Sequence, residues 1–162
     1  MEEGKLSKKD IKIVIAAHKP YRMPEDTMYV PLHVGAEGKK NPDGTPLDLG
    51  YQKDNEGDNI SAKNPNYCEL TGIYYAWKNI PAEYLGLVHY RRYFKGKNKS
   101  KDPFACIVTE PEMEKIFETH RIVVQRSVNI ILRHCIHIMH THIMQNIWIV
   151  CGKSLENNVR II

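Results

Sequence analysis

The 162-residue chain has no Cys-x-x-Cys pair, and its four cysteines, Cys68, Cys106, Cys135 and Cys151, follow no regular framework. That argues against a disulfide framework, so reduced thiols in a cytosol are expected. No apolar run reaches bilayer length without a charge or histidine interrupting it, which excludes a transmembrane helix by sequence. The opening MEEGKLSKKD is polar and lacks the apolar segment of a secretion signal. A net charge of +4 is too small an excess to imply nucleic acid. Apolar residues at 42% and charged residues at 26% are ordinary for one globular domain. The chain is expected to be cytoplasmic, with at most a peripheral membrane association.

What is present has a clear order. IKIVIAAHKP, residues 11 to 20, is a β-branched run ended by a proline and reads as a buried first strand. His18 and Lys19 then fall at its C-terminal end, where open α/β sheets bind ligands; a solvated loop is the alternative. Residues 31 to 58, PLHVGAEGKKNPDGTPLDLGYQKDNEGD, are rich in Gly, Pro, Asn and Asp and read as loop with at most a short strand around Leu32 to Val34. Pro65 to Asn79 reads as a helix whose core stripe is Leu70, Ile73, Tyr74 and Trp77. YLGLVHY, residues 84 to 90, is a second buried strand, and Thr109 with Glu112 has the capping-box spacing of a further helix running to Thr119. This order implies an α/β sandwich with a mostly parallel sheet.

Two stretches concentrate hydrogen-bonding chemistry. In GDNISAKNPNYCELT, residues 57 to 71, Asp58, Asn59, Ser61, Lys63 and Asn64 crowd before a helix start. Such a cluster suits a diphosphate or an array of sugar hydroxyls, while capping and an Asx-turn would use the same residues. In HYRRYF, residues 89 to 94, Arg91 and Arg92 offer planar charged forks for phosphate oxygens beside His89, Tyr90 and Tyr93. On an extended chain neighbours point opposite ways, so one of the two arginines is expected to face a site.

Together, GDNISAKNPNYCELTGIYYAWKN and YLGLVHYRRYF resemble the hallmark of the DUF4422 family of bacterial capsular and exopolysaccharide biosynthesis proteins, regarded as glycosyltransferases of GT-A type. The resemblance covers about residues 11 to 124. It implies a GT-A-like, Rossmann-like sandwich, a nucleotide-sugar donor (commonly a UDP-sugar), and a lipid-linked or glycan acceptor at the inner membrane face. The family pattern carries onto Asp58, Asn59, Ser61, Lys63, Asn64, Tyr67 and Glu69, and onto His89, Tyr90, Arg91, Arg92 and Tyr93. Many GT-A enzymes hold Mn²⁺ or Mg²⁺ through a D-x-D triplet, and this chain has none. Asp54, Glu56 or Asp58 would have to substitute. Otherwise Lys63, Arg91 and Arg92 neutralise the leaving diphosphate without metal, which is the favoured expectation. The competing class is a non-catalytic nucleotide- or glycan-binding module built on His18, Lys63, Arg91 and Arg92.

The tail departs from this pattern. NIILRHCIHIMHTHIMQNIWIV, residues 129 to 150, sets His134, His137, His140 and His142 among Ile and Met without a helical period. A histidine-rich metal site is one reading; it lacks a supporting carboxylate or thiolate at helical spacing. The other is a shifted reading frame. Codons compatible with residues 129 to 142, read one frame over, give YYIETLYSHYAHT, which is similar to the family's continuation. On that reading residues 125 to 162 are out of frame, the domain is truncated, and the chain is expected to be inactive.

Overall fold

The structure, a computed structural model, describes residues 8 to 124 and 149 to 152. The β-branched run forms strand β1, Ile11–Ala17, almost entirely buried, as a central parallel strand must be when covered on both faces. It pairs in parallel with β2, Tyr29–His33, on one side and with β4, Tyr84–His89, on the other. A two-residue β3, Gln52–Lys53, extends the sheet beyond β2. Strands β5, Ile122–Val124, and β6, Ile149–Gly152, complete it in the order β3-β2-β1-β4-β6-β5, with β6 antiparallel to both neighbours.

The pleat of β1 divides its side chains between two cores. Ile11, Ile13 and Ile15 face a layer containing Tyr90, Phe94, Met113 and Phe117, part of it from helix α3, Glu110–Phe117. Val14 and Ala16 face Tyr75 and Ala76 of helix α2, Leu70–Asn79. Helices on both faces of a mostly parallel sheet make this an α/β fold, as the element order implied. The capping box of α3 forms: the Thr109 N–H donates to Glu112 Oε2 at 3.0 Å.

Three expectations need correction. The strand inside the long loop is β2, and it starts at Tyr29, before Pro31. The proline is tolerated because the bonds to β1 involve Met28 and Val34, so alternation turns the Pro31 nitrogen to the opposite side, where β3 pairs only from Leu32 onward. Second, the 310 turn Ser61–Lys63 and a short helix α1, Asn64–Tyr67, precede α2, and Cys68 at φ 49° separates the two helices. Third, α2 buries Thr71, Gly72, Tyr75 and Ala76, while Trp77 is 47% exposed. The helix lies so close to the sheet that a Cβ on Gly72 would stand 2.8 Å from Val34 Cγ1, so small residues form the contact face. The expected out-of-frame tail and its histidines lie outside the described residues, apart from the backbone of Ile149–Gly152 in β6.

Candidate functional site

The chain leaves β1 for β2 on one side and reaches β4, on the other side of β1, only after β3 and α2. Winding therefore reverses between β1 and β4, and a crevice opens outside their C-terminal ends, the place where open α/β sheets bind ligands. His18 and Lys19 follow β1 there, and Tyr90 to Arg92 follow β4. The Tyr90 N–H donates to Ala16 O at 3.2 Å, and the Arg92 N–H to His89 O at 2.8 Å, so HYRR folds into a tight turn. Tyr90 is 1% exposed. Its ring makes T-shaped contacts with His18 and Tyr21, with centroids 5.1 and 5.2 Å apart. Lys19 Nζ and Arg91 Cζ stand 5.7 and 5.1 Å from its centroid, close enough for cation–π attraction.

His89 accepts the Arg91 N–H at Nδ1, at 3.3 Å. Burial, reinforced by Arg91, Arg92 and His18, lowers its pKa to about 4, so the ring is neutral at pH 7. His18 is shifted down in the same direction, first by burial and then by Lys19. The positive charge of this edge therefore belongs to Lys19, Arg91 and Arg92, and the two imidazoles supply uncharged hydrogen-bonding groups.

Beside this edge a cleft of about 380 Å³ opens over the ends of β1 and β2, with His18, His33, Lys39, Asn64, Cys68 and Glu69 in its wall. Its frame is fixed by Asp54, which is fully buried. One carboxylate oxygen accepts the Ala36 N–H at 3.0 Å and the Ser61 hydroxyl at 2.5 Å; the other accepts the Gly35 N–H at 2.8 Å and the Thr71 hydroxyl at 2.7 Å. Gly35 has φ +64°, and a Cβ there would meet the Asn64 side chain at 2.5 Å. Asn64 is itself held, donating to Cys68 O at 2.8 Å and to the Thr71 hydroxyl at 3.1 Å. The loop after β2, the 310 turn and the start of α2 thus converge on one carboxylate.

A family model described as a domain of unknown function, DUF4422, matches residues 12–159, nearly the whole chain. The chain belongs to the DUF4422 family. Among solved structures, the apo structure of the WbbM bifunctional glycosyltransferase is 40% identical over 58% of this chain and 16% of that one, with a TM-score of 0.49. The chain thus spans under a fifth of that protein's length. No curated protein matches it.

Within this DUF4422 domain the two sequence blocks have different fates. His18, Lys19, His89, Tyr90 and Arg91 come together, with Arg92 adding its charge near His89. The first block splits. Asn64 and Glu69 line the cleft, and Ser61 braces Asp54. Asn59 closes an Asx-turn, accepting the Ser61 N–H at 3.1 Å and donating to Gly57 O at 2.9 Å. Asp58 sits at the far end of α2, where it accepts the Tyr74 hydroxyl at 3.1 Å and lies 4.0 Å from Lys78 Nζ. Lys63 is exposed on the 310 turn and is not part of the cleft wall. Of the two arginines, Arg91 stands over the Tyr90 ring, while Arg92 acts on His89 through its charge. His33 and Lys39 were not singled out from the sequence. The signal for His33 was its place at the end of a strand parallel to the one that delivers His18.

Among the described residues, the carboxylates that would replace a D-x-D triplet stand apart from one another. Both oxygens of Asp54 are saturated by internal donors, Asp58 is engaged at the other end of α2, and Glu69 stands in the cleft wall with Lys39 and histidines. Among the described residues no three acidic, histidine or cysteine side chains are grouped for Mn²⁺ or Mg²⁺.

Proposed function

We propose that this chain is the donor-binding part of a glycosyltransferase, which takes a nucleoside-diphosphate sugar at the β1/β4 edge and transfers the sugar to a glycan or lipid-linked acceptor. The observation that carries this reading is the gathering of Lys19, Arg91 and the neutral His18 and His89 around the buried Tyr90 at the point where winding reverses. Breaking the sugar–diphosphate bond leaves negative charge on the departing diphosphate. Fixed cations aimed at that charge lower the barrier without proton transfer. The Arg91 guanidinium offers a fork that matches two phosphate oxygens, and Lys19 adds a compact charge. A uridine base, a surface-polysaccharide acceptor and work at the inner membrane face follow from the resemblance of the two sequence blocks. No helix among the described residues is long and apolar enough to cross a membrane.

The test is titration calorimetry of the 162-residue protein with nucleoside diphosphates, followed by chromatography for sugar release or transfer from the corresponding nucleotide sugars. Binding with turnover is the expected result for a relative carrying the same edge. Binding in every such relative with turnover in none leaves a binding module, and absence of nucleotide binding removes the proposal altogether.

A further inference from the structure

We infer that the lysine-rich segment of residues 95 to 101 docks this domain on an anionic phospholipid surface by charge alone. The inference goes beyond the donor reading and stands without it, since it assigns a surface of the molecule and the partner which that surface fits.

From Arg91 to Lys101 the sequence is RRYFKGKNKSK, with six of the chain's 23 basic residues and none of its 19 acidic ones. The remainder holds 17 basic and 19 acidic residues, so the net +4 of the chain comes entirely from this stretch. Lys95, Lys97, Lys99 and Lys101 are all exposed, and no ion pair among the described residues involves them. The acids that adjoin the segment are engaged elsewhere. Asp102 accepts both terminal nitrogens of Arg22 at 3.1 and 2.8 Å, and Glu112 accepts the Lys97 and Thr109 N–H groups, each at 3.0 Å. Lys95 to Lys101 spans at most about 20 Å of chain, roughly two Debye lengths at physiological salt, so the four ammonium groups act on one patch of an opposing surface. Basic clusters of about four to eight residues are drawn to anionic leaflets, each charge adding to the attraction.

The backbone of the segment is fixed before any surface arrives. Lys95 and Ile107 form an antiparallel bridge, the Gly96 N–H donates to Cys106 O at 2.7 Å, and the Ser100 N–H reaches Cys106 Sγ at 3.2 Å. A Cβ on Gly96 would stand 2.7 Å from Glu112 Oε2 and 2.9 Å from Ile107 O, so glycine is what allows this approach to the α3 cap. Backbone already held loses little further freedom on docking. Residues 95 to 101 carry no aromatic or aliphatic side chain, so nothing inserts among the acyl chains and the attraction is electrostatic and reversible. The same composition lacks the stacking platforms that hold single-stranded nucleic acid. Arg91 lies four residues before Lys95, at most about 14 Å of chain, so docking here brings the β1/β4 edge close to the surface that carries a lipid-borne acceptor.

The experiment is flotation of the full chain with vesicles of phosphatidylcholine alone and of phosphatidylcholine mixed with about one-third phosphatidylglycerol. Partition onto the anionic vesicles only is expected, falling at least about tenfold as salt rises from about 0.05 to about 0.5 M. The triple variant Lys97→Gln, Lys99→Gln, Lys101→Gln should partition about 30- to 200-fold more weakly, from roughly 3- to 6-fold per lysine near the surface. Its three positions are exposed and outside every ion pair among the described residues, so its urea midpoint should match that of the unaltered protein. A charge-matched variant, Lys40→Gln, Lys53→Gln, Lys63→Gln, removes the same charge around β3 and the 310 turn and should stay within about threefold of the unaltered protein. No partition at low salt, equal binding to neutral vesicles, or equal loss in the two triple variants overturns the inference. So does retention on nucleic acid without partition onto anionic vesicles. Nucleoside-diphosphate titration without vesicles reads the donor edge separately, so failure of one reading leaves the other standing.

Discussion

The Thr71 hydroxyl donates to Asp54 at 2.7 Å, and this one contact joins the first turn of α2 to the residue that follows β3. Because Asp54 accepts three further bonds, it acts as the peg on which the cleft is hung. Asp54→Ala strands four buried donors and is expected to lower the unfolding free energy by roughly 3–5 kcal/mol, whereas Thr71→Val should cost about 1–2 kcal/mol. Urea denaturation with an unchanged m-value measures both. A loss below about 1 kcal/mol for Asp54→Ala contradicts the role assigned to it, since each stranded donor alone is expected to cost that much.

The buried face of α2 gives a second comparison. Tyr75 is 3% exposed and its hydroxyl accepts the Gln52 amide at 2.8 Å, so Tyr75→Ala is expected to cost roughly 3–5 kcal/mol, in the range for a buried aromatic. Trp77 lies outside, with Lys78 Nζ 3.7 Å from its ring centroid, and Trp77→Ala should stay within about 1 kcal/mol. The reverse ordering in thermal or urea melts would restore the stripe read from the sequence.

That stripe shows where sequence reasoning reached and where it stopped. The strands β1 and β4 were legible because β-branched and apolar runs bounded by polar residues have few other uses. So was the α3 cap, since Thr109 and Glu112 satisfy each other's backbone within four residues. On α2 the large apolar residues drew attention, but Gly72 and Ala76 decide the contact because the sheet comes too close for anything larger. The site was legible in part for a related reason. His18, Tyr90 and Arg91 adjoin strand ends, which local pattern locates, whereas Asp58 and Ser61 look alike in sequence and are parted by the partners they find, Lys78 and Tyr74 for one and Asp54 for the other.

Charge at the β1/β4 edge makes a binding prediction. Arg91→Ala should weaken nucleoside-diphosphate binding by about 10- to 100-fold, the size of a lost charge-assisted bond, and Arg91→Lys should recover only part of it. Raising salt from 0.05 to about 0.5 M should weaken the unaltered protein more than the Arg91→Ala variant, because the exposed cation is screened. Equal salt sensitivity in calorimetric titrations would place the diphosphate elsewhere.

The same edge sets a pH dependence. His89 has its pKa lowered from the ordinary 6.5 to about 4, chiefly by burial, and His18 and His33 are shifted in the same direction. Below pH 6.5 the unfolded chain takes up protons that the native state refuses, so stability rises with pH across this window. Their contribution is complete above pH 6.5 and is lost as pH falls towards 4. Asp102 and Glu112 act lower down. The bond from Arg22 to Asp102 and the backbone N–H groups on Glu112 depress their pKa values below 3.8 and 4.5, so their contributions disappear only in stronger acid. Between pH 6.5 and 4.5 the histidines therefore dominate. Urea midpoints should fall steadily over that interval, and His89→Asn, which removes the titrating ring, should flatten the fall. Midpoints that hold level from pH 6.5 to 4.5 in the unaltered protein would mean that His89 takes up its proton as readily folded as unfolded, and the neutral imidazole beside Arg91 would have to be given up.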